Sequence, residues 1–507
     1  MNNESVKTGT PPSDDVPREV VQQAKPVKRP ERVLQFGEGA FLRAFVDWMV
    51  DILNEKTDFN GNVAVVQPLE KGMGDVINAQ NGLYTTVLRG VADGEVVEEF
   101  RLVTSISRCV NVYAQFDEYI KMAENPDLRF VVSNTTEAGI AYDAADRLDD
   151  KPQRSFPGKV AAFLYRRWKY FNGDPSKTLV IVPCELIDKN GDTLREIVVR
   201  YAEEWNLEDA FSTWLEACDF CNSLVDRVVP GYPREEAETL WKKLGYTDNL
   251  LDAAEVFHLW VIETKRDYAK ELPFVDAGLN VVWTDDMSFY RTRKVRILNG
   301  AHTMTAAAAF LSGLDTVEAC CKDPLTSTFM RKGIFEEIIP SMNGGADELV
   351  AYADKVLERF ANPYIKHRWL SITLNSISKF KTRVLPSIKG FLQKKGELPR
   401  RLVFSLAALV AFYEGEFVDG ETLGFRGGER YSIKDGEDIL ARFAALYQKS
   451  ADDPNRAYAV AQAVLSSAAW WGEDLSVIPG FTDAVAANLE GIWKNGVKAE
   501  LERICAE

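Results

Sequence analysis

Arg32-Val-Leu-Gln-Phe-Gly-Glu-Gly-Ala-Phe-Leu-Arg43 is a short apolar run that meets two glycines. It passes into a helical pattern through Phe45, Trp48, Met49 and Ile52. Strand, glycine turn and helix together open a dinucleotide-binding unit. Gly37 suits the tight turn, and Gly39 lets the backbone approach a pyrophosphate at the positive end of the helix. Leu42 stands where the full fingerprint has its third glycine, so the motif reads G-x-G-x-F-x-R, with Phe41 and Arg43 as its last members. Taken alone, the stretch fits an ordinary strand-to-helix turn as well as a cofactor turn.

The chain on either side decides between them. Apolar runs predict strands at 62–67, 84–88, 98–106, 128–133 and 179–183, and helices at 112–122, 156–171 and 194–205. Such alternation predicts a mainly parallel, doubly wound α/β sheet of Rossmann type. Ligands of these sheets bind beyond the carboxyl ends of the strands. The polar residues found there are Gln67, then Asn134, Thr135, Thr136 and Glu137, then Glu185. Gln67, Asn134, Thr135 and Thr136 are candidate cofactor contacts, and Glu137 and Glu185 candidate substrate contacts. Thr135 and Thr136 also read as helix caps. Gln67 is neither an acid for ribose hydroxyls nor a gap for a phosphate, so NAD and NADP stay open by position.

From about residue 290 helical patterns dominate, at 349–360, 402–413, 439–447 and 457–471. The expected domains are a disordered extension over 1–29, a Rossmann-like dinucleotide-binding domain over 30–285 and an all-α domain over 286–507. The Gly-rich stretch 423–430 reads as a loop, with Arg426 available to line a cleft.

A chain of 507 residues calls for two or three domains. Its net charge of -16 argues against a nucleic-acid or anionic-membrane partner. The cysteines are seven, sparse and odd in number, which suits a reducing compartment and not a disulfide framework. Cys218 and Cys221 form a lone C-x-x-C with no second ligand pair, and read as a helical turn with two small buried side chains. No apolar run reaches membrane-spanning length and no signal peptide is evident, so a cytoplasmic location is expected.

The chemistry is concentrated in Arg291-Thr-Arg-Lys-Val-Arg-Ile-Leu-Asn-Gly-Ala-His-Thr-Met304. On a helix, at ~100° per residue, Lys294, Asn299 and His302 fall within an arc of roughly 140°. Reducing a ketone needs a hydride, polarisation of the carbonyl oxygen and a proton. With three histidines and no His/Cys cluster at ligand spacing, a metal-independent route is expected. A lysine with its pKa lowered by burial or a neighbouring cation would supply the proton. The competing reading makes Arg291, Arg293, Lys294 and Arg296 a solvated basic face.

These residues resemble the mannitol dehydrogenase family, the polyol-specific long-chain dehydrogenases/reductases. The resemblance rests on Lys294-x4-Asn299-x2-His302, on Gly37-Glu-Gly-Ala-Phe-Leu-Arg43, on Val225-Asp-Arg227 with Pro230, and on Trp260-Val-Ile-Glu263. It covers nearly the whole chain after residue 30. It implies a Rossmann-like N-terminal domain, a helical C-terminal domain, no catalytic metal, and NAD as cofactor. The implied reaction is NADH-dependent interconversion of D-tagaturonate and D-altronate, a small sugar acid. Fructuronate reduction and mannitol-type polyol oxidation are the alternatives, and a non-catalytic nucleotide-binding sensor the reading from another class. By family role Lys294 is the acid/base, Asn299 an oxyanion donor and His302 a substrate-binding residue, with Asp226 of the Val-Asp-Arg segment a further substrate contact. The family's second oxyanion asparagine falls at Leu186, which cannot donate, and Asn190 is the candidate substitute. The family's substrate arginine and lysine match Ser371 and Lys379, so only the lysine survives. A uronate carboxylate calls for a cation, and Arg368 and Lys379 are the candidates.

Overall fold

Strands that are apolar at every position have to be covered on both faces. The computed structural model describes residues 26–506 apart from 93 and 137; the expected extension over 1–29 lies, up to residue 25, outside the described residues, and so does Glu137. Two compact units are present. One holds the chain up to Gly90 with Val96–Met287, the other Ser288 onward with Val91–Glu95.

In the first unit six strands form one parallel sheet. Their order is Ile106–Asn111, Asn62–Gln67, Glu31–Phe36, Phe130–Ser133, Val180–Pro183 and Asp219–Phe220. Numbered along the chain within this sheet, that order is 3-2-1-4-5-6, the doubly wound arrangement. Alternate side chains point to opposite faces. Val33, Val63, Val65, Val132 and Val182 enter one core cluster, and Leu34, Phe36, Ala64, Val66, Val131 and Ile181 the other. The sheet is therefore sandwiched between helices, as its continuous apolar runs require. The chain order reverses between the strands Glu31–Phe36 and Phe130–Ser133, which places the ligand crevice at their carboxyl ends.

Several expected elements differ. The single strand expected over 98–106 is the end of one strand and the start of another. Glu95–Val103 joins a three-stranded sheet with Tyr84–Ala92 and Asp252–Glu255, while Ile106–Asn111 is the edge of the parallel sheet. Asp51 causes the break: its carboxylate accepts from the Thr104 amide (2.7 Å) and hydroxyl (2.8 Å) and bends the chain there. The following helix is shortened to Phe116–Lys121. Cys218 caps the helix Asp209–Ala217 and Cys221 follows the strand Asp219–Phe220, so the pair is not one helical turn, although both thiols are buried and free.

The second unit is largely helical around Gly300–Leu311, which is buried from Gly300 to Phe310 and packs on Arg400–Phe412 and Trp369–Ile372. Its alanines 306–309 let neighbouring helices approach from all sides. The unit is not all-α. Gly415–Val418, Glu421–Arg426 and Glu429–Ile433 form an antiparallel sheet. The stretch expected as a Gly-rich loop is its second hairpin. Gly427 (φ 58°) and Gly428 (φ 88°) make the two-residue turn, whose backbone is left-handed at both positions. The helix expected over 457–471 breaks at Ser466 and Ser467 into Arg456–Leu465 and Ala468–Trp471.

Among the described residues three helices contain a π turn: Arg43–Asp47, Lys294–Asn299 and Gly333–Ile338. Such turns shift backbone groups out of α register, and buried carbonyls then need other donors. In the first, Tyr84 Oη donates to the Arg43 carbonyl (2.6 Å), Arg227 to that of Ala44 (2.8 Å) and Ser105 to that of Asp47 (2.7 Å). Asp47 is fully buried there and accepts from Gln35 (3.0 Å). Burial pushes its carboxyl up from an ordinary value of 3.8 to about 7.

A carboxyl raised on folding binds a proton that the unfolded chain has released. Its contribution to stability therefore falls as pH rises from about 4 to about 7, by up to about 1.4 kcal/mol per pH unit. Asp47→Asn should flatten that fall, measured as the urea midpoint against pH. An unchanged slope would show that Asp47 titrates normally.

Candidate functional site

The carboxyl edge of the parallel sheet gathers the strand-end residues that the sequence singles out. Gly37 has φ 114°, and a Cβ there would lie 2.9 Å from the Asn134 carbonyl oxygen, so the first turn and the turn after Ser133 touch through bare backbone. The Asn134 amide donates to the Phe36 carbonyl (3.1 Å), and its side chain to the Cys184 carbonyl (2.9 Å). Thr136 has φ 85°, a conformation rare for a β-branched residue and typical of functional turns. No helix begins at Thr135 or Thr136, so neither is a cap. Gly39 is exposed, and a Cβ added there meets nothing within 4 Å. Phe41 is half-buried and stacks on Phe45 (5.0 Å).

Glu185 ties this edge together. One carboxylate oxygen accepts from the Thr135 amide and hydroxyl (both 2.9 Å), the other from the Ser133 hydroxyl (3.0 Å). Burial raises its pKa against those hydrogen bonds, which lower it.

Other expected contacts face the protein instead. Arg43 is buried, donates to the Leu250 carbonyl (2.7 Å), pairs with Asp252 (3.6 Å) and lies over the Tyr84 ring. Gln67 donates to the carbonyls of Leu69 (2.8 Å) and Glu70 (3.2 Å) and accepts from the Gly74 amide (2.9 Å). Both support the turn from beneath. Asn190 is fully buried. Its amide donates to the carbonyls of Pro183, Glu185 and Ser223 and accepts from the amides of Gly191 and Ser223, so it shapes the loop. Leu186 itself is 65% exposed. Asp226 is buried opposite Leu259, in the sheet formed by Asn222–Asp226, Leu259–Glu263 and Val281–Thr284.

In the second unit the Lys294-x4-Asn299-x2-His302 wall is not one regular helix. Ser288–Arg293 is α-helical, Lys294–Asn299 is the π turn, and Gly300–Leu311 resumes the α-helix. An i→i+5 turn brings residues five apart nearly into line along the axis. Lys294 and Asn299 are therefore closer to one line than the regular-helix arc allows, and both are half-buried. The basic-face reading does not hold. Arg293 is buried on Glu348 (2.6 Å) and over the Tyr352 ring (4.3 Å). Arg296 donates to Ser387 (2.6 Å) and Ser341 (2.8 Å), and burial lowers its pKa to about 10.

His302 sits in an aromatic box that sequence spacing does not reveal: stacked on Phe360 (4.1 Å), edge-on to His367 (5.0 Å) and to Trp369 (6.3 Å). The stretch His367-Arg-Trp369 shows only its charge in the sequence. Folded, its two rings meet His302, while Arg368 lines a separate pocket. Arg368 is thus not on the His302 wall. Lys379 belongs to Ser376–Arg383, which packs against both Lys294–Asn299 and Gly300–Leu311. Its ammonium donates to the Ile372 carbonyl (2.8 Å), which leaves two of three N–H groups, and burial lowers its pKa, helped by Arg383. Among the described residues no three His, Cys, Asp or Glu side chains group as a metal ion requires.

Residues 31–274 match the Mannitol dehydrogenase Rossmann domain and residues 286–493 the Mannitol dehydrogenase C-terminal domain. The chain belongs to the mannitol dehydrogenase family. Its relatives in that family include the altronate oxidoreductase of Cronobacter sakazakii, 48% identical over 94% of this chain and 97% of the relative, and that of Escherichia coli, 47% identical over the same shares. Two solved structures share the fold at 21% identity. They are a Pseudomonas fluorescens mannitol 2-dehydrogenase (TM-score 0.67, 97% of each chain) and a D-sorbitol dehydrogenase (TM-score 0.74, 96% of each chain).

The two motif glycines of this family member should respond differently to one methyl group. Gly37→Ala, with its positive φ and backbone clash, should cost about 1–3 kcal/mol of stability. Gly39→Ala should stay within about 0.5 kcal/mol of wild type. Urea unfolding of both variants checks this.

Proposed function

We propose that the protein reduces D-tagaturonate to D-altronate, reversibly, with NADH as hydride donor. The observation that carries this reading is the 47–48% identity to altronate oxidoreductases over 94% of the chain. The dinucleotide, when bound, supplies the hydride. Its holders on this reading are Gly37, Gly39, Phe41, Asn134, Thr135 and Thr136. The open space at Gly39 and the close contact of Gly37 with Asn134 suit a backbone cradle at the switch point.

The remaining work falls to side chains. The Lys294 ammonium gives a proton to the carbonyl oxygen as it becomes an alkoxide, and takes it back in the reverse direction. Asn299 donates an amide N–H to the same oxygen as charge develops. His302, held flat by Phe360, orients a substrate hydroxyl. Lys379 offers its remaining N–H groups to the uronate carboxylate. Glu185 keeps the strand-end turn in place. Seven free cysteines suit a cytoplasmic location.

Lys294→Ala should lower kcat by about 10²–10⁴ and leave NADH affinity, read by fluorescence titration, near wild type. Steady-state assays with tagaturonate, fructuronate and fructose, each with NADH and NADPH, test the substrate and cofactor. Turnover of fructose equal to that of tagaturonate, or full activity in Lys294→Ala, would sink the reading.

A further inference from the structure

The second unit contains a pocket of about 570 Å³ walled by the 366–370 segment and the 429–432 side of the hairpin. That is within the size range of small-molecule sites. Its charge is at odds with the chain's net charge of -16, because Lys366, Arg368, Arg426 and Arg430 all line it. Arg426 is already neutralised: it pairs with Asp315 (2.7 Å), donates to the Phe310 carbonyl (3.2 Å) and lies over the Phe310 ring (4.1 Å). It forms part of the wall. That leaves Lys366, Arg368 and Arg430 around one concavity, faced by the single further carboxylate of Glu429. All three cations are exposed side chains. Holding like charges around one hollow is unfavourable unless an anion joins them.

The pocket is distinct from the His302 wall. Arg368 bridges to Thr316, the His367 carbonyl accepts from the Val317 amide (3.0 Å), and the Trp369 amide donates to the Asp315 carbonyl (3.0 Å). The His367 amide turns back onto the Ile365 carbonyl (2.9 Å), and Arg368 is extended before the helix Trp369–Ile372. Lys366 and Arg368 face the pocket, and His367 faces His302.

We propose that this pocket binds a small dianion with a phosphate-type headgroup, gripped by Lys366, Arg368 and Arg430. A monocarboxylate calls for one cation; three cations lining one pocket with one opposing carboxylate suit two negative charges, and a guanidinium matches phosphate geometry in bidentate fashion. The headgroup is either free inorganic phosphate or the phosphate of a sugar ester.

Isothermal titration of the full chain with inorganic phosphate, and separately with a hexose 6-phosphate, tests this at constant ionic strength set by sodium chloride and without the proposed substrate or cofactor. Saturable binding at one site per chain is expected for at least one probe. Binding of phosphate itself assigns the free ion; binding of the ester alone assigns a phosphorylated metabolite. Arg368→Ala and Arg430→Ala should each weaken it about tenfold or more, and Lys395→Ala, an exposed cation elsewhere in the unit, should not. Thermal melts establish that each variant is folded. Absence of saturable binding at millimolar probe, or binding that survives the Arg368/Arg430 double substitution, overturns the proposal. Because the readout is binding, its failure leaves the tagaturonate assignment standing.

Discussion

The helix after the glycine turn passes from α to π at Arg43–Asp47, and the backbone carbonyls this frees must find other donors. Only Ala40–Leu42 separates this π turn from the glycine turn, and three side chains from distant parts of the chain supply donors to its carbonyls. Tyr84 comes from one sheet, Arg227 follows the end of another, and Ser105 precedes the edge strand. The charges needed for this are buried as well: Arg43 with Asp252, and Asp47 with Gln35. Buried ions are stable only when paired or hydrogen-bonded, so the three sheets are bound to one helix. The motif arginine Arg43 is thereby engaged by the Leu250 carbonyl and the Asp252 carboxylate beneath the turn.

The same economy operates at the strand ends. Glu185, Asn190 and Gln67 all sit where a ligand would be met, yet each has its polar atoms engaged with neighbouring backbone or hydroxyls. Turns at a carboxyl edge have no ladder partners of their own, and unpaired buried amides are costly. Side chains that satisfy them fix the positions of Gly37, Asn134, Thr135 and Thr136. In the second unit, Arg293 and Arg296 do likewise for the helix that carries Lys294.

Much was legible in the residues. Continuous valine and isoleucine runs marked the buried parallel strands, and the glycine turn marked the first crossover. The spacing of Lys294, Asn299 and His302 marked the helix to which we assign the chemistry. What failed to show has specific causes. The strand Ile106–Asn111 was hidden because the break before it is made by Asp51, more than fifty residues upstream. The hairpin at Gly427 and Gly428 was signalled by the glycine pair between alternating apolar residues, a pattern that also fits a loop. The His302 box was not visible, since Phe360 and His367 become its neighbours only when segments far apart in sequence pack together.

Sequence alone determined most of the buried parallel strands, where the glycine turn lies, and that Lys294, Asn299 and His302 share one helical stretch, because these follow from local periodicity and backbone preference. Tertiary structure alone decided which polar side chains face a ligand and which face the protein. Arg43 and Arg368 are both motif-adjacent cations, but one is buried under its turn and the other opens into a second pocket. Periodicity reports the face a residue occupies; its partner on that face depends on which distant segment folds against it.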